Sequence, residues 1–244
     1  MDLISKINHA VKESDLKPGD HIYCYRSKSY SSYAHHGVYI GDGKIIHFLD
    51  NSESATGDTE GLNSNFFGFS SSSGASSSSR CEECRANKSG GVQLTCLKCF
   101  LKGDTLRLFY YGVSKAELAL NLRGGSSGLK AEEPEKVLHR AHYLLQTDGF
   151  GTYNLQTHNC EDFAIYCKTG MIDMKNGTSK QVELIRQVTK FGSAFSGKKK
   201  LDPLAVFQKL KTHLVDERWE RDSHGVHVEV EELVNMYNKS LVRR

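Results

Sequence analysis

The stretch HNCEDFAIYCKTG holds two cysteines in different settings. Cys160 comes directly before a segment with apolar residues at helical spacing, and Gly170 ends that segment. A thiol at a helix start faces unpaired backbone N–H groups and the positive end of the helix dipole, which favours thiolate. Glu161 and Asp162 oppose part of that effect. Cys160 is therefore a nucleophile that needs a base, or a buried thiol like Cys167 on the core-facing stripe.

The segment HHGVYIGDGKIIHFL predicts a β-hairpin that could supply the base. Two β-rich runs flank Gly41-Asp42-Gly43, which suits a three-residue loop with Ile40 paired to Lys44.

In this register two histidines share one face of the hairpin. Gly37 falls opposite His47, and alternation puts His35 and His47 on the same side. Diagonal cross-strand neighbours lie roughly 7–8 Å apart, so the two rings can meet. His36 points to the other face, which looks packed. A slip of one residue would separate the pair.

Four further cysteines form the pattern CxxC, eleven residues, CxxC, at Cys81, Cys84, Cys96 and Cys99. Two such pairs can make a tetrahedral four-thiolate zinc site, which would be structural because no coordination position stays open. The spacing is shorter than the 15–20 residues of many zinc ribbons. The alternative is that the last two cysteines merely pack in a strand-like QLTCLKCFL.

The elements around these residues suggest one main domain over residues 1–175 and a mostly helical, basic tail over 176–244. Residues 50–80 contain SSSSGASSSS, which cannot bury apolar surface and predicts a flexible insertion. A Cys-rich segment follows over 81–99. AEEPEKVLHRAHYLLQ predicts a helix with proline in its first turn. The tail permits weak, reversible membrane contact or packs on the domain.

Composition excludes several classes of function. The chain has 244 residues, a formal net charge of +3 and seven cysteines. Such a mild charge does not indicate a nucleic-acid partner. Neither an export signal nor a run of 18 apolar residues is visible, so we expect a cytoplasmic protein, with membrane association left open. In that compartment clustered cysteines indicate metal binding or catalysis rather than disulfides.

KPGDHI, HHGVYIGDGKIIHF and NCEDFAIYCKTG together resemble the lecithin:retinol acyltransferase (LRAT) domain family. That family includes the HRAS-like suppressor phospholipase/acyltransferases and plant LRAT-domain proteins. Anchoring on Tyr39-Ile40-Gly41-Asp42-Gly43 puts the family's two histidines on His35 and His47 and its nucleophile on Cys160. The resemblance covers roughly residues 16 to 170 without the insertion.

The resemblance implies an α+β fold, an antiparallel sheet with packed helices in a permuted papain-like arrangement. It also implies a phospholipid or other acyl-lipid substrate and no cofactor for catalysis. Cys160 would attack the ester carbonyl, His35 would carry the proton and His47 would orient His35. The backbone N–H of Cys160 would stabilise the oxyanion, and His21 is a further candidate for that role.

This sequence departs from the family at His36, which replaces a tryptophan, and at Gly37, which replaces an alanine. Two other functions therefore stay open. One is a thiol hydrolase of a peptide or amide, since the same constellation serves there. The other is a non-enzymatic interaction protein that keeps the motifs.

Overall fold

The computed structural model describes residues 9–28, 31–50, 81, 84, 90–120, 125–155, 157–173 and 225–242, with six single positions between 212 and 224. The insertion predicted over 50–80 and the first part of the predicted tail lie almost entirely outside these residues. The central element is an antiparallel sheet of five strands in the order β4-β3-β2-β1-β5. The strands are β1 (His21–Lys28), β2 (Ser31–Gly41), β3 (Lys44–Leu49), β4 (Gly91–Cys96) and β5 (Arg107–Leu108).

The β2–β3 hairpin closes on a two-residue turn, so the predicted three-residue loop is wrong. Gly41 pairs with Lys44, and Asp42 and Gly43 have φ of 49° and 64°. Two central residues with positive φ make the type I′ turn that matches the twist of a hairpin. A bulge at Ile40 then restores the predicted register, with Val38 opposite Ile46.

Five α-helices and one 3-10 turn (Glu13–Asp15) have defined bounds in the described part of the chain. The α-helices are α1 (Leu97–Leu101), α2 (Lys115–Leu120), α3 (Pro134–Thr147), α4 (Cys160–Thr169) and α5 (Val230–Val242). Short strands β6 (Met171–Ile172) and β7 (Val226–His227) pair with each other. The predicted helices after Pro134 and after Cys160 are both confirmed. The fold is therefore α+β with an antiparallel sheet, as expected.

The two faces of the sheet are covered by different helices. On one face, here the α4 face, the largest core cluster joins strand residues to α4 through Val38, Phe48, Phe163 and Ala164. On the other, the α1 face, Ile22 and Ile45 pack with Leu97 and Phe100. Because side chains alternate along β2, consecutive residues contact different helices.

Strands β2 and β3 separate beyond their hairpin. Strand β2 stays paired with β1 beyond this point, and Cys24 lies opposite His35. Among the described residues, the pairing of β2 with β3 ends at Val38 opposite Ile46, while β3 continues along β4 to Leu49. We call the opening between residues 34–37 and 47–49 the β2–β3 fork.

The last helix belongs to the body of the protein. Val230, Leu233 and Val234 of α5 are buried in the core cluster that also contains α3 and α4. The part of the tail that the structure describes therefore packs on the domain, which was one of the two predicted outcomes.

Candidate functional site

His35 and His47 meet across the β2–β3 fork. Nε2 of His35 lies 2.8 Å from Nδ1 of His47, and the rings are nearly perpendicular at 81°. Both side chains are buried, with 4% of each residue exposed. The prediction that the two rings share a face is therefore confirmed.

Thr95 of β4 extends this pair to a chain of three groups. Its Oγ1 lies 3.1 Å from Nε2 of His47. The two imidazoles can donate in either direction along this chain, and one of the two directions leaves Nδ1 of His35 as a proton acceptor. In that direction Nε2–H of His35 donates to His47, and Nε2–H of His47 donates to the Thr95 hydroxyl. No pattern in the sequence singles out Thr95, which directly precedes the second CxxC pair.

Phe100 of α1 covers both imidazoles. Its ring centroid lies 5.0 Å from that of His35 and 5.5 Å from that of His47. Gly37 makes room for this contact, because a Cβ there would lie 3.0 Å from Phe100 Cε2 and 2.7 Å from Ile45 Cγ2. A side chain at position 37 would therefore force these neighbours to shift.

Burial keeps His35 uncharged. Removal from water, followed by the nearby charge of His47 and then of Arg26, lowers the pKa of His35 well below 6.5. A histidine in this state is neutral at physiological pH, which leaves it able to accept a proton, and the lowered pKa makes it a weaker base than a free imidazole.

Cys160 is the first residue of α4, as predicted. Asn159 caps the helix by accepting a hydrogen bond from the Glu161 N–H at 2.8 Å. The Asp162 carboxylate accepts one from the Asn159 N–H at 2.9 Å. The two acids of the first turn are therefore buried parts of the helix start, and Asp162 completes a capping box.

The Cys160 thiol meets β2 at the main chain inside the fork. Its Sγ lies 3.9 Å from the carbonyl oxygen of Ala34, the residue that precedes His35. The body of α4 packs on the face of Ala34 and Val38, whereas His35 lies on the α1 face with Phe100. The structure thus brings the two histidines together and puts the thiol beside the adjoining residue of β2.

A second pair of buried histidines lies on the α4 face. Nε2 of His21 is 2.8 Å from Nδ1 of His36, and Nδ1 of His21 is 2.7 Å from the hydroxyl of Tyr111. The ring of His36 stacks on Tyr23 at 14°, and that of His21 stacks on Phe109 at 6°. His36 thus lies on the packed face, as predicted. Its partnership with His21 was not predicted.

Cys167 and Cys24 behave as core residues. Both are fully buried, and burial raises the pKa of each thiol, for Cys24 to about 11. A raised pKa disfavours the thiolate, so both are core thiols rather than candidate nucleophiles.

The four clustered cysteines converge at the end of β4. The sulfurs of Cys81, Cys84, Cys96 and Cys99 all lie within 4.8 Å of one another. Strand β4 ends at Cys96 and α1 begins at Leu97, so Cys99 is helical. The alternative that both cysteines pack in one strand is thus correct in its strand assignment for Cys96 and wrong for Cys99.

The fold and site define a class of protein: an antiparallel sheet that buries a histidine pair, combined with a helix that begins at a cysteine. The family model for lecithin retinol acyltransferase matches residues 14–173. Protein LEAD-SENSITIVE 1 of Arabidopsis thaliana is 42% identical over 179 residues, covering 72% of this chain and 66% of that protein.

Mammalian lecithin retinol acyltransferases match more weakly. The Homo sapiens enzyme is 29% identical over 136 residues, 56% of this chain and 49% of the enzyme. The Mus musculus enzyme is 27% identical over 143 residues, 58% and 51% respectively. This chain therefore spans about half the length of the mammalian relatives and about two thirds of the plant one.

The chain belongs to the lecithin retinol acyltransferase family, as its motifs predicted. Among the described residues no helix combines the length and apolar character needed to cross a bilayer.

Proposed function

We propose that this protein is a thiol-dependent acyltransferase or phospholipase that acts on acyl lipids through an acyl-enzyme on Cys160. Family membership supports the reaction class, because related proteins are named as lecithin retinol acyltransferases. A lipid substrate of this kind is met at a membrane or micelle surface by peripheral contact.

The observation that carries the proposal is the chain from Thr95 through His47 to His35, which ends in the fork where the thiol meets β2. A nucleophile is activated by an adjacent base, and the base is oriented by a third group. His35 is the base in this scheme because it is neutral and held by His47. Thr95 and His47 are positioning residues.

The reaction proceeds in two balanced steps. In the first, the thiol proton moves to Nδ1 of His35, Sγ forms a bond to the ester carbonyl carbon, and the C–O bond to the alcohol breaks. His35 returns the proton to the leaving alcohol. In the second step, water or an acceptor alcohol or amine attacks the thioester and regenerates the thiol.

The fork is the proposed meeting point of thiol and base. Helix α4 and the His35 ring belong to opposite faces of β2, and only an opening in the sheet lets Sγ reach an imidazole on the α1 face. Catalytic hydrogen bonds commonly tighten only when substrate binds. We infer that Sγ moves from the Ala34 carbonyl towards Nδ1 of His35 in the substrate complex.

The start of α4 supplies the electrostatic part of the proposal. The N–H of Cys160 is directed out of the first turn, where the helix dipole is positive. A carbonyl attacked by Sγ develops its negative oxygen beside this N–H. A helix that begins at a cysteine and packs on a histidine-bearing sheet is the arrangement expected of a permuted papain-like fold.

A comparison of variants tests the proposal. Release of fatty acid, or its transfer to an acceptor amine, is measured with phosphatidylcholine vesicles for wild type, Cys160→Ala and Cys167→Ala. We expect Cys160→Ala to abolish turnover, whereas Cys167→Ala, which removes a core thiol, retains it. Turnover that survives Cys160→Ala contradicts the proposed nucleophile.

The same assay separates the alternatives. A matched panel of an ester, an amide and a peptide substrate is offered to wild type. Faster cleavage of the amide or peptide than of the lipid ester would replace the lipid function by a thiol hydrolase. Absence of turnover on the whole panel, together with no reaction of Cys160 with iodoacetamide at neutral pH, would favour an interaction protein.

A further inference from the structure

The four-cysteine cluster has the dimensions of a metal site. Cys81 and Cys96 place their sulfurs 3.6 Å apart. A tetrahedral zinc ion with Zn–S bonds of about 2.3 Å requires sulfurs about 3.8 Å apart. A disulfide would need about 2.05 Å, and all four thiols are free.

Backbone N–H groups point at the sulfurs and tie the two CxxC pairs together. The N–H of Cys96 donates to Cys84 Sγ and that of Cys81 to Cys99 Sγ, each at 3.3 Å. The N–H of Cys99 donates to Cys96 Sγ at 3.4 Å, which also caps α1. Such donors orient metal-bound thiolates and stabilise their negative charge.

Exposure separates this cluster from the packed thiols. Cys24 and Cys167 are fully buried, whereas Cys81, Cys96 and Cys99 are only partly covered. Cysteines that act as small hydrophobic residues belong to the first group. Three partly accessible sulfurs converge with the buried sulfur of Cys84, and four thiolates are a donor set that suits zinc.

The cluster adjoins the two residues that hold the histidine pair. Thr95, which contacts His47, precedes Cys96, and Phe100, which covers both imidazoles, follows Cys99. The corner between β4 and α1 is also fixed to the hairpin turn, because the N–H of Leu97 donates to the Gly43 carbonyl at 2.7 Å. Two of the four sulfur ligands therefore border the contacts of the histidine pair.

We propose that Cys81, Cys84, Cys96 and Cys99 bind one zinc ion, and that this ion anchors the β4–α1 corner against the histidine pair. Zinc with four thiolates has no open position, so its role is structural. The binding half of the proposal is independent of the acyl-transfer proposal. Any effect of the anchoring on turnover rests on the acyl-transfer proposal.

Metal content of the full chain, purified from zinc-supplemented medium, is the first measurement. We expect about one zinc per chain, retained in Cys167→Ala and lost in Cys81→Ala and Cys99→Ala. Cys81→His should keep the ion, because three cysteines and one histidine also form a structural zinc set. Zinc well below one per chain in wild type, or full retention in both alanine variants, would overturn the site.

Hydrogen exchange tests the anchoring half without any assay of activity. Removing zinc with a chelator should increase exchange in residues 91–101 and 44–49, and restoring zinc should reverse it. Unchanged exchange in a protein that has lost its zinc would overturn the anchoring role while leaving the binding site intact. Loss of acyl transfer alone contradicts neither half.

Discussion

Nε2 of His35 lies 2.8 Å from Nδ1 of His47, across the opening where their two strands no longer pair. Backbone hydrogen bonds no longer join the two strands at this point, so the side-chain hydrogen bond links them. It also holds the His35 imidazole in a fixed orientation relative to His47. In the proposed reaction this contact orients His35 as the base. Thr95 in turn holds His47 through the contact between its hydroxyl and Nε2.

Thr95→Val should weaken turnover by removing the hydroxyl partner of His47. A net hydrogen bond of about 0.5–1.5 kcal/mol corresponds to a rate loss of roughly twofold to tenfold. Thr95→Ser keeps the hydroxyl and should restore most of the rate. Lipid-ester turnover of the two variants, measured on zinc-loaded protein, checks the role of Thr95. Full turnover in Thr95→Val, or a larger loss in Thr95→Ser than in Thr95→Val, would contradict the role of the hydroxyl.

His35→Gln and His36→Gln should fail in different ways. Loss of a general base typically costs about 10²–10⁴ in rate, so His35→Gln should lose turnover in that range. His36→Gln removes a contact with His21 and a stack on Tyr23. It should mainly lower the free energy of unfolding, by about 0.5–3 kcal/mol.

Turnover and urea unfolding, measured side by side, separate these two roles. If His36→Gln, checked as folded, lost turnover as severely as His35→Gln, the histidine on the α4 face would be the better base.

Low pH should destabilise the fold through His35. Its pKa in the folded state lies well below its unfolded value near 6.5. Between those two values the unfolded chain binds a proton that the folded protein does not. Stability is therefore constant above about pH 6.5 and falls below it, by at most about 1.4 kcal/mol per pH unit for one group.

The measurement is urea unfolding at pH 7.5, 6.5 and 5.5. His35→Gln should flatten part of the pH dependence, and His142→Gln, at an exposed position of α3, is the control substitution. His158, whose pKa burial also lowers, supplies part of the remaining slope. An identical slope in wild type and His35→Gln would contradict the buried, neutral state of His35.

Gly37→Ala should disturb the packing around the histidine pair. The added Cβ would lie 2.7 Å from Ile45 Cγ2 and 3.0 Å from Phe100 Cε2, so the side chains over the histidine pair must shift. Overpacking of this kind costs about 1–3 kcal/mol. Gly225→Ala is the matched control, because its Cβ would meet nothing closer than 3.4 Å.

Thermal unfolding and turnover of the two alanine variants decide this case. Wild-type values for Gly37→Ala would show that the space around residue 37 is not restricted.

Local sequence patterns were enough to predict the histidine pair. The role of Thr95 could not be predicted, because it depends on strand pairing between distant segments. Alternation along the hairpin put His35 and His47 on one face although the loop length was wrong, because the bulge at Ile40 compensated for the shorter turn. Thr95 belongs to β4, whose pairing with β3 spans the insertion. A non-local pairing of this kind has no periodic signal in either segment.

The same limit applies to Cys160. The start of its helix followed from the apolar spacing and Gly170, and the structure agrees. The face of the sheet on which α4 packs, and the opening of the sheet at Ala34, depend on how strands diverge in three dimensions. Neither is encoded in the spacing of residues in one segment.

Trapping the acyl-enzyme tests the central proposal most directly. Wild type is mixed with a short-chain phosphatidylcholine, quenched in acid and measured by intact-protein mass spectrometry, followed by peptide mapping. We expect a mass increase of one acyl group on the peptide containing Cys160, released by hydroxylamine and missing in Cys160→Ala. Acylation of Cys24 or Cys167, or lipid hydrolysis with no thioester even under rapid quench, would contradict the account.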